Sequence, residues 1–172
     1  SMGFTPVEGL MMGSRSGDVD LGVVTYLMEK EMISTGAATT LFNKHSGVLG
    51  VSGISSDMRD IENAIAEGNQ RAKLALEMYE YRIKKYIGSY AAALNGFDVL
   101  VFTGGVGENQ TITRERVCKG LSFMGIEVDP EINKVRGEEL LISTPNSRVK
   151  VVVIPTDEEY MIASDTMELV GK

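Results

Sequence analysis

The chain has 172 residues, 43% hydrophobic and 24% charged, a globular balance that gives no support to a disordered or fibrous protein. Its net charge of −7 comes from scattered acidic residues and argues against a nucleic-acid or anionic-membrane partner; no apolar run approaches the roughly 20 residues that span a bilayer. Cys118 is the single cysteine and the start shows no signal-peptide pattern, so a cytoplasmic setting and one folded domain over 1–172 are expected.

Residues 1–17 mix glycine, serine and apolar types without a period and read as a loop. After Asp18 and Asp20, either able to cap, Val19, Val23, Val24, Leu27 and Met28 recur at helical spacing and predict a helix with one buried stripe. A shorter helix is expected over 37–43, then an irregular, glycine-containing stretch over 46–56. The longest helix carries Ala72, Leu76, Tyr79, Ile83, Tyr86, Ile87, Tyr90 and Leu94 on one face and stops at Asn95-Gly96. The period then changes. Val99, Leu100, Val101 and Phe102 form a continuous apolar run before Thr103-Gly104-Gly105, the pattern of a strand buried on both faces of a parallel or mixed sheet. A helix over 113–121 follows, with Val117, Cys118 and Leu121 apolar. Leu140, Leu141 and Ile142 predict a strand, Pro145-Asn146-Ser147 a turn, 149–154 a second core strand, and a last helix begins after Pro155. Strands alternating with amphipathic helices make an α/β layered domain.

Four segments can carry chemistry. In the first, a strand runs into Gly104, Gly105, Val106, Gly107, Glu108 and Asn109, and glycines let main-chain N–H groups approach phosphate oxygens. The alternative is that they serve only a tight turn and close strand–helix packing. In the second, Arg15 stands between small residues before a helix, a planar cation suited to a phosphoryl or carboxylate group, or else a solvated loop residue. The third, Asp57-Met58-Arg59, pairs a carboxylate with a guanidinium that could meet a ribose or base; the plainer reading is an Asp N-cap beside a surface charge. In the fourth, Thr156 and Glu159 have capping-box spacing, which leaves Glu158 as a carboxylate for a hard cation such as Mg²⁺ or as a favourable first-turn acid. His45 has no ligand-spaced neighbours and reads as a surface residue, and Cys118, on an apolar helical stripe, reads as a buried inert thiol.

Taken together, SMGFTPVEGLMMGSRSGD, GVSGISSDMRD, FTGGVGENQTITRERVCKGL and IPTDEEYMIA closely resemble segments of the acetate kinase family, in the same order and over essentially the whole chain. The resemblance implies a ribonuclease-H-like α/β fold of the actin-like ATPase group. It also implies reversible in-line transfer, ATP and acetate giving ADP and acetyl phosphate. Arg15 then matches the arginine that stabilises the transferring phosphoryl group. Asp57, Met58 and Arg59 match a nucleotide-contacting triplet, and Gly105, Val106, Gly107, Glu108 and Asn109 match the loop beside adenosine and phosphates. Glu158 matches a glutamate tied to Mg²⁺, with Mn²⁺ the alternative ion. Asp157 stands where the family pattern usually has Asn, an added charge that bears on metal or nucleotide affinity. The implied partners are ATP or ADP, a short-chain carboxylic acid or acyl phosphate, and a second copy of the chain. Propionate or butyrate kinase is the alternative within this chemistry, and a non-catalytic nucleotide-binding or dimerisation module the alternative outside it. The resemblance further implies a carboxy-terminal portion: the acyl pocket, a first phosphate loop and early strands of the sheet would precede Ser1. The domain is then incomplete, and the strands at 99–102 or 149–154 are expected to lack cover.

Overall fold

In the computed structural model, which describes residues 2–171, the chain divides where its longest helix stops. Asn95 and Gly96 both turn to positive φ, at 57° and 109°, and Ser1–Gly96 and Phe97–Lys172 form separate units.

The first unit is built from helices. α1 (Leu21–Lys30) is capped by Asp20, whose carboxylate accepts from the N–H groups of Gly22 and Val23 at 2.7 and 3.3 Å. No α1 residue is buried, which corrects the expected stripe. Val24 and Met28 line an open groove of about 450 Å³ with Ala38 and Phe42 instead of a filled core. α2 (Thr35–Lys44) begins two residues earlier than expected because the Ser34 hydroxyl accepts from Ala37 N–H at 3.2 Å. α3 (Gly47–Ser52) corrects the irregular reading of 46–56. Gly47 opens the helix and Gly50 is accommodated within it, and Gly53 closes it in a left-handed cap whose N–H donates to the Leu49 carbonyl at 2.8 Å.

α4 (Met58–Ala66) buries Met58, Ile61 and Ala64, and packs with α3 on α5 (Gln70–Ala93). The cover extends over only the first half of α5. Ala72, Ala75 and Leu76 are buried, Ile83, Tyr86 and Ile87 half-buried, and Tyr90 and Leu94 exposed. Fully buried Ile61 and Leu76 therefore contribute about 1.5–3 kcal/mol each, whereas Leu94 contributes little.

In the second unit, β1 (Val99–Phe102) pairs in parallel with β3 (Lys150–Val153), Val99 opposite Lys150 and Phe102 opposite Val153. β2 (Leu140–Leu141) lies antiparallel on the other side, giving the order β1-β3-β2. β3 is thus the covered strand, with Val151 and Val153 wholly buried. β1 is an edge among the described residues. The Asp98 and Phe102 carbonyls accept from Lys150 and Ile154, so the intervening Val99 and Val101 turn their polar groups away from β3. Their side chains are 51% and 44% exposed, which corrects the expectation of burial on both faces. Of the two strands expected to lack cover, β1 lacks it and β3 does not.

α6 (Gly104–Asn109) and α7 (Thr111–Lys119) follow β1, and single helical turns at Ser122–Met124 and Ile132–Lys134 lead to β2. α7 buries Val117 and Cys118, and burial pushes the Cys118 thiol up to about 12, an inert core thiol as expected. α8 (Glu158–Val170) buries none of its residues; Tyr160, Ile162, Met167 and Leu169 are all exposed. A mixed sheet with helices before and after its strands is the α/β class expected, and no helix among the described residues is long and apolar enough to cross a membrane.

Candidate active site

The candidate residues fall into two groups, one in each unit. In the first, the loop carrying Arg15 is fixed by its main chain. The Arg15 carbonyl accepts from Met12 N–H at 3.0 Å, and Ser16 N–H donates to the Phe42 carbonyl at 2.9 Å. The carbonyls of Met12, Gly13 and Ser14 accept from the N–H groups of Val48, Leu49 and Ser46 at 3.0, 2.8 and 3.0 Å. This approach needs a glycine at 47, where φ is 65° and a side chain would come within 2.3 Å of the Met12 carbonyl oxygen.

Asp18 closes the loop. Its carboxylate accepts from Gly9 N–H at 2.6 Å and the Tyr86 hydroxyl at 2.9 Å, and pairs with Arg82. Burial raises the Asp18 pKa, but these donors together outweigh it and the net shift is downward. The Arg15 side chain is exposed, and its only hydrogen-bond partner among the described residues is the Met12 sulfur at 3.9 Å. A guanidinium so mounted is free to receive an anion.

Asp57-Met58-Arg59 lies beside that loop: a Cβ on Gly13 would come within 2.8 Å of the Ser56 carbonyl oxygen. Asp57 caps α4, accepting from Arg59 N–H at 2.8 Å, and its oxygens also accept from Arg59 Nε and Nη2 at 3.0 and 2.5 Å. The Arg59 side chain, followed by its N–H, holds the Asp57 carboxyl at about 2, so the pair persists until pH falls through that value. The Met58 side chain is 8% exposed and belongs to the core, which leaves Asp57 and Arg59 as the accessible part of the triplet. The N-cap reading of this segment is thus present in the structure.

In the second unit β1 runs through extended Thr103 into the glycine turn. The turn reading accounts for Gly104, at φ 71°, and the packing reading for Gly107, where a Cβ would meet the Phe102 carbonyl carbon at 3.1 Å. Neither accounts for Gly105. Its φ is not positive, and a Cβ there would meet nothing within 4 Å. The Asn109 amide donates to the Gly105 carbonyl at 3.0 Å, and Val106 is half-buried.

The Glu108 carboxylate turns to the loop after β3, accepting from the N–H and hydroxyl of Thr156 at 2.9 and 3.0 Å. The Thr156 N–H above all lowers the Glu108 pKa, so the link stands at neutral pH and is lost as pH falls below the ordinary glutamate range. This contact joins two segments that sequence reasoning kept separate, the glycine turn and the start of α8. It also corrects the capping box: Asp157 caps α8 by accepting from Tyr160 N–H at 2.9 Å, and Thr156 is engaged by Glu108.

Glu158, the first residue of α8, is exposed, and no group of three or more His, Cys, Asp or Glu capable of holding a metal occurs among the described residues. A single open carboxylate fits Mg²⁺, which completes its shell from water and phosphate oxygens.

Three contributors were missed: Thr156, Asn133 and Arg114. Arg114 is fully buried under the turn, where its Nη1 donates to the Gly107 and Glu108 carbonyls at 2.8 Å each. Its signal was in the sequence, since Arg114, Val117, Cys118 and Leu121 share one helical stripe.

A parallel strand pair with a glycine turn after one strand and a carboxylate-bearing helix start after the other fits a fragment of an α/β domain, and the solved structures it matches place that domain in the actin-like ATPase class. Within that class the chain belongs to the acetokinase family, whose family model matches residues 1–164. Acetate kinase of Porphyromonas gingivalis is 65% identical over 170 residues, covering 98% of this chain and 43% of that protein. The crystal structure of P. gingivalis acetate kinase gives a TM-score of 0.93 at 64% identity, over 99% of this chain and 43% of the other. A propionate kinase from Francisella tularensis gives 0.88 at 39% identity, over 96% and 42%. The chain therefore spans less than half the length of the relatives it matches.

Proposed function

We propose that this chain forms the nucleotide-binding part of an acetate kinase, which transfers the γ-phosphoryl group of ATP to acetate and back. The observation that carries the reading is Gly105: a glycine with no neighbour to accommodate and no turn to make leaves the space beside its α-carbon open to a ligand. Phosphate oxygens are the ligand chemistry that main-chain N–H groups suit best. In the forward reaction an acetate oxygen forms a bond to the γ-phosphorus while the bond to the β–γ bridging oxygen breaks and ADP leaves. Arg15 neutralises charge on the equatorial oxygens, and no protein nucleophile is needed. Asp57 and Arg59 would meet the nucleoside. Mg²⁺, when bound, offsets phosphate charge, and Glu158 would hold it through water. A homodimer in the cytoplasm is the setting we propose for the whole enzyme.

Propionate kinase is the second reading, favoured by the likeness to the F. tularensis enzyme. Acyl phosphate formation by the full-length kinase containing this chain, measured side by side with acetate, propionate and butyrate, decides between them. Activity on none of the three acids overturns the proposal. The nucleotide site has a sharper test in Gly105→Ala. In open space within α6 this change should leave stability unchanged or raise it by about 0.5–1 kcal/mol. Mg-ADP affinity by calorimetry should nevertheless fall several-fold; unchanged affinity would remove the turn from the site.

A further inference from the structure

Arg114 is wholly buried, yet no carboxylate is among its hydrogen-bond partners. Each of its five N–H donors has an acceptor: Nε the Asn133 side-chain oxygen at 2.8 Å, Nη1 the Gly107 and Glu108 carbonyls at 2.8 Å, and Nη2 the Asn133 and Val135 carbonyls at 2.7 Å. Asn133 is itself fixed, donating to the Thr111 carbonyl at 2.9 Å. Burying a cation against neutral partners is costly, and an apolar side chain would fill the stripe beside Val117 and Cys118 at less cost. What the guanidinium supplies and an apolar group cannot is direction. Its planar fork ties the last carbonyls of α6, which have no partner within the helix, to the 133–135 segment. Glu108, whose carbonyl Arg114 holds, uses its carboxylate to grip Thr156, two residues before Glu158.

We propose that Arg114 is a positioning residue for nucleotide binding: by clamping the Gly107 and Glu108 carbonyls it sets the open Gly105 backbone toward the phosphates and, through Glu108 and Thr156, the Glu158 carboxylate. The inference rests on the nucleotide reading of the turn. It assigns the residue no contact with substrate; its effect passes through main-chain atoms.

The test is Arg114→Lys in the full-length kinase. A lysine keeps the charge but reaches at most three of the five acceptors. KM for ATP should rise about 10-fold, the scale on which supporting contacts act, with KM for the acid within about 2-fold. Val117→Ala, a buried change on the same helix that removes no hydrogen bond to the turn, should leave both constants unchanged. If Arg114→Lys does not fold, Asn133→Ala removes the Nε acceptor and should give a smaller rise of the same selectivity. Equal behaviour of the Arg114 or Asn133 variant and Val117→Ala, or a rise shared by both substrates, makes the role structural and overturns the proposal. Hydrogen exchange at 105–109 in the wild-type enzyme separates the two claims. Slowing by Mg-ADP upholds the nucleotide reading whatever Arg114→Lys does, and no slowing overturns that reading itself.

Discussion

Arg15→Ala in the full-length kinase is expected to lower kcat by about 10³–10⁵-fold, the range over which arginines act on a transferring phosphoryl group. The structure argues for so large an effect on turnover and so small a one elsewhere. Arg15 is exposed, no ion pair among the described residues depends on it, and the loop beneath it is held by main-chain bonds, Asp18 and the Ser16 hydroxyl, none of which uses the Arg15 side chain. Stability should therefore stay within about 0.5 kcal/mol of wild type. Nucleotide affinity should change by less than about 5-fold, because an interaction made only in the transition state lowers kcat and kcat/KM together. Arg15→Lys should recover only part of the loss, since a point charge replaces the fork that matches phosphoryl oxygens. The measurement is steady-state kinetics with ATP and acetate varied separately. Wild-type turnover, or a loss confined to KM for ATP, would end the catalytic assignment.

How far the sequence announced these elements depended on whether their determinants were local. Asp20 and Asp57 cap helices as expected because a cap is decided within three residues, and the stop at Asn95-Gly96 is equally local. The strand–glycine–helix passage from Val99 to Asn109 was legible from its change of period. Burial was not. A helical stripe says which side of α1 or α5 is apolar but not what lies against it, and α8 buries none of its residues. β1 and β3 have similar apolar runs, yet one is an edge and the other central, and that order is set by pairing across 50 residues, as Leu100 opposite Val151 illustrates. The capping box at Thr156 failed for the same reason: its spacing was right, but Glu108, distant in sequence, engages the hydroxyl. At the site, spacing could mark Gly105 and Arg15, whereas the link from the turn to the α8 start needed coordinates. Spacing also could not tell the three glycines of the turn apart. Neighbours and φ do so: Gly104 has a turn role, Gly107 a packing role, and Gly105 neither.

Gly47→Ala should be the most damaging single-methyl change in the first unit, and it tests how the Arg15 loop is held. Two costs add. Residue 47 sits at φ 65°, where an L side chain costs about 1–2 kcal/mol. The new Cβ would also lie 2.3 Å from the Met12 carbonyl oxygen and 2.7 Å from that of Arg15, backbone atoms that cannot swing aside as a side-chain end can. Overpacking of this kind adds about 1–3 kcal/mol, and relieving it requires the Arg15 loop to move. Gly68→Ala is the matched control, because Gly68 has φ 88° but nothing within 4 Å of its added Cβ. It should show the backbone cost alone. Urea unfolding of the 172-residue chain followed by tyrosine fluorescence reports on this unit, since five of its six tyrosines, all but Tyr160, lie within it; turnover is measured in the full-length kinase. Gly47→Ala should lose about 2–5 kcal/mol and most of its turnover, and Gly68→Ala about 1–2 kcal/mol with turnover unchanged. Equal losses of stability in the two variants, or full turnover in folded Gly47→Ala, would mean that the contact with Gly47 does not set the position of Arg15.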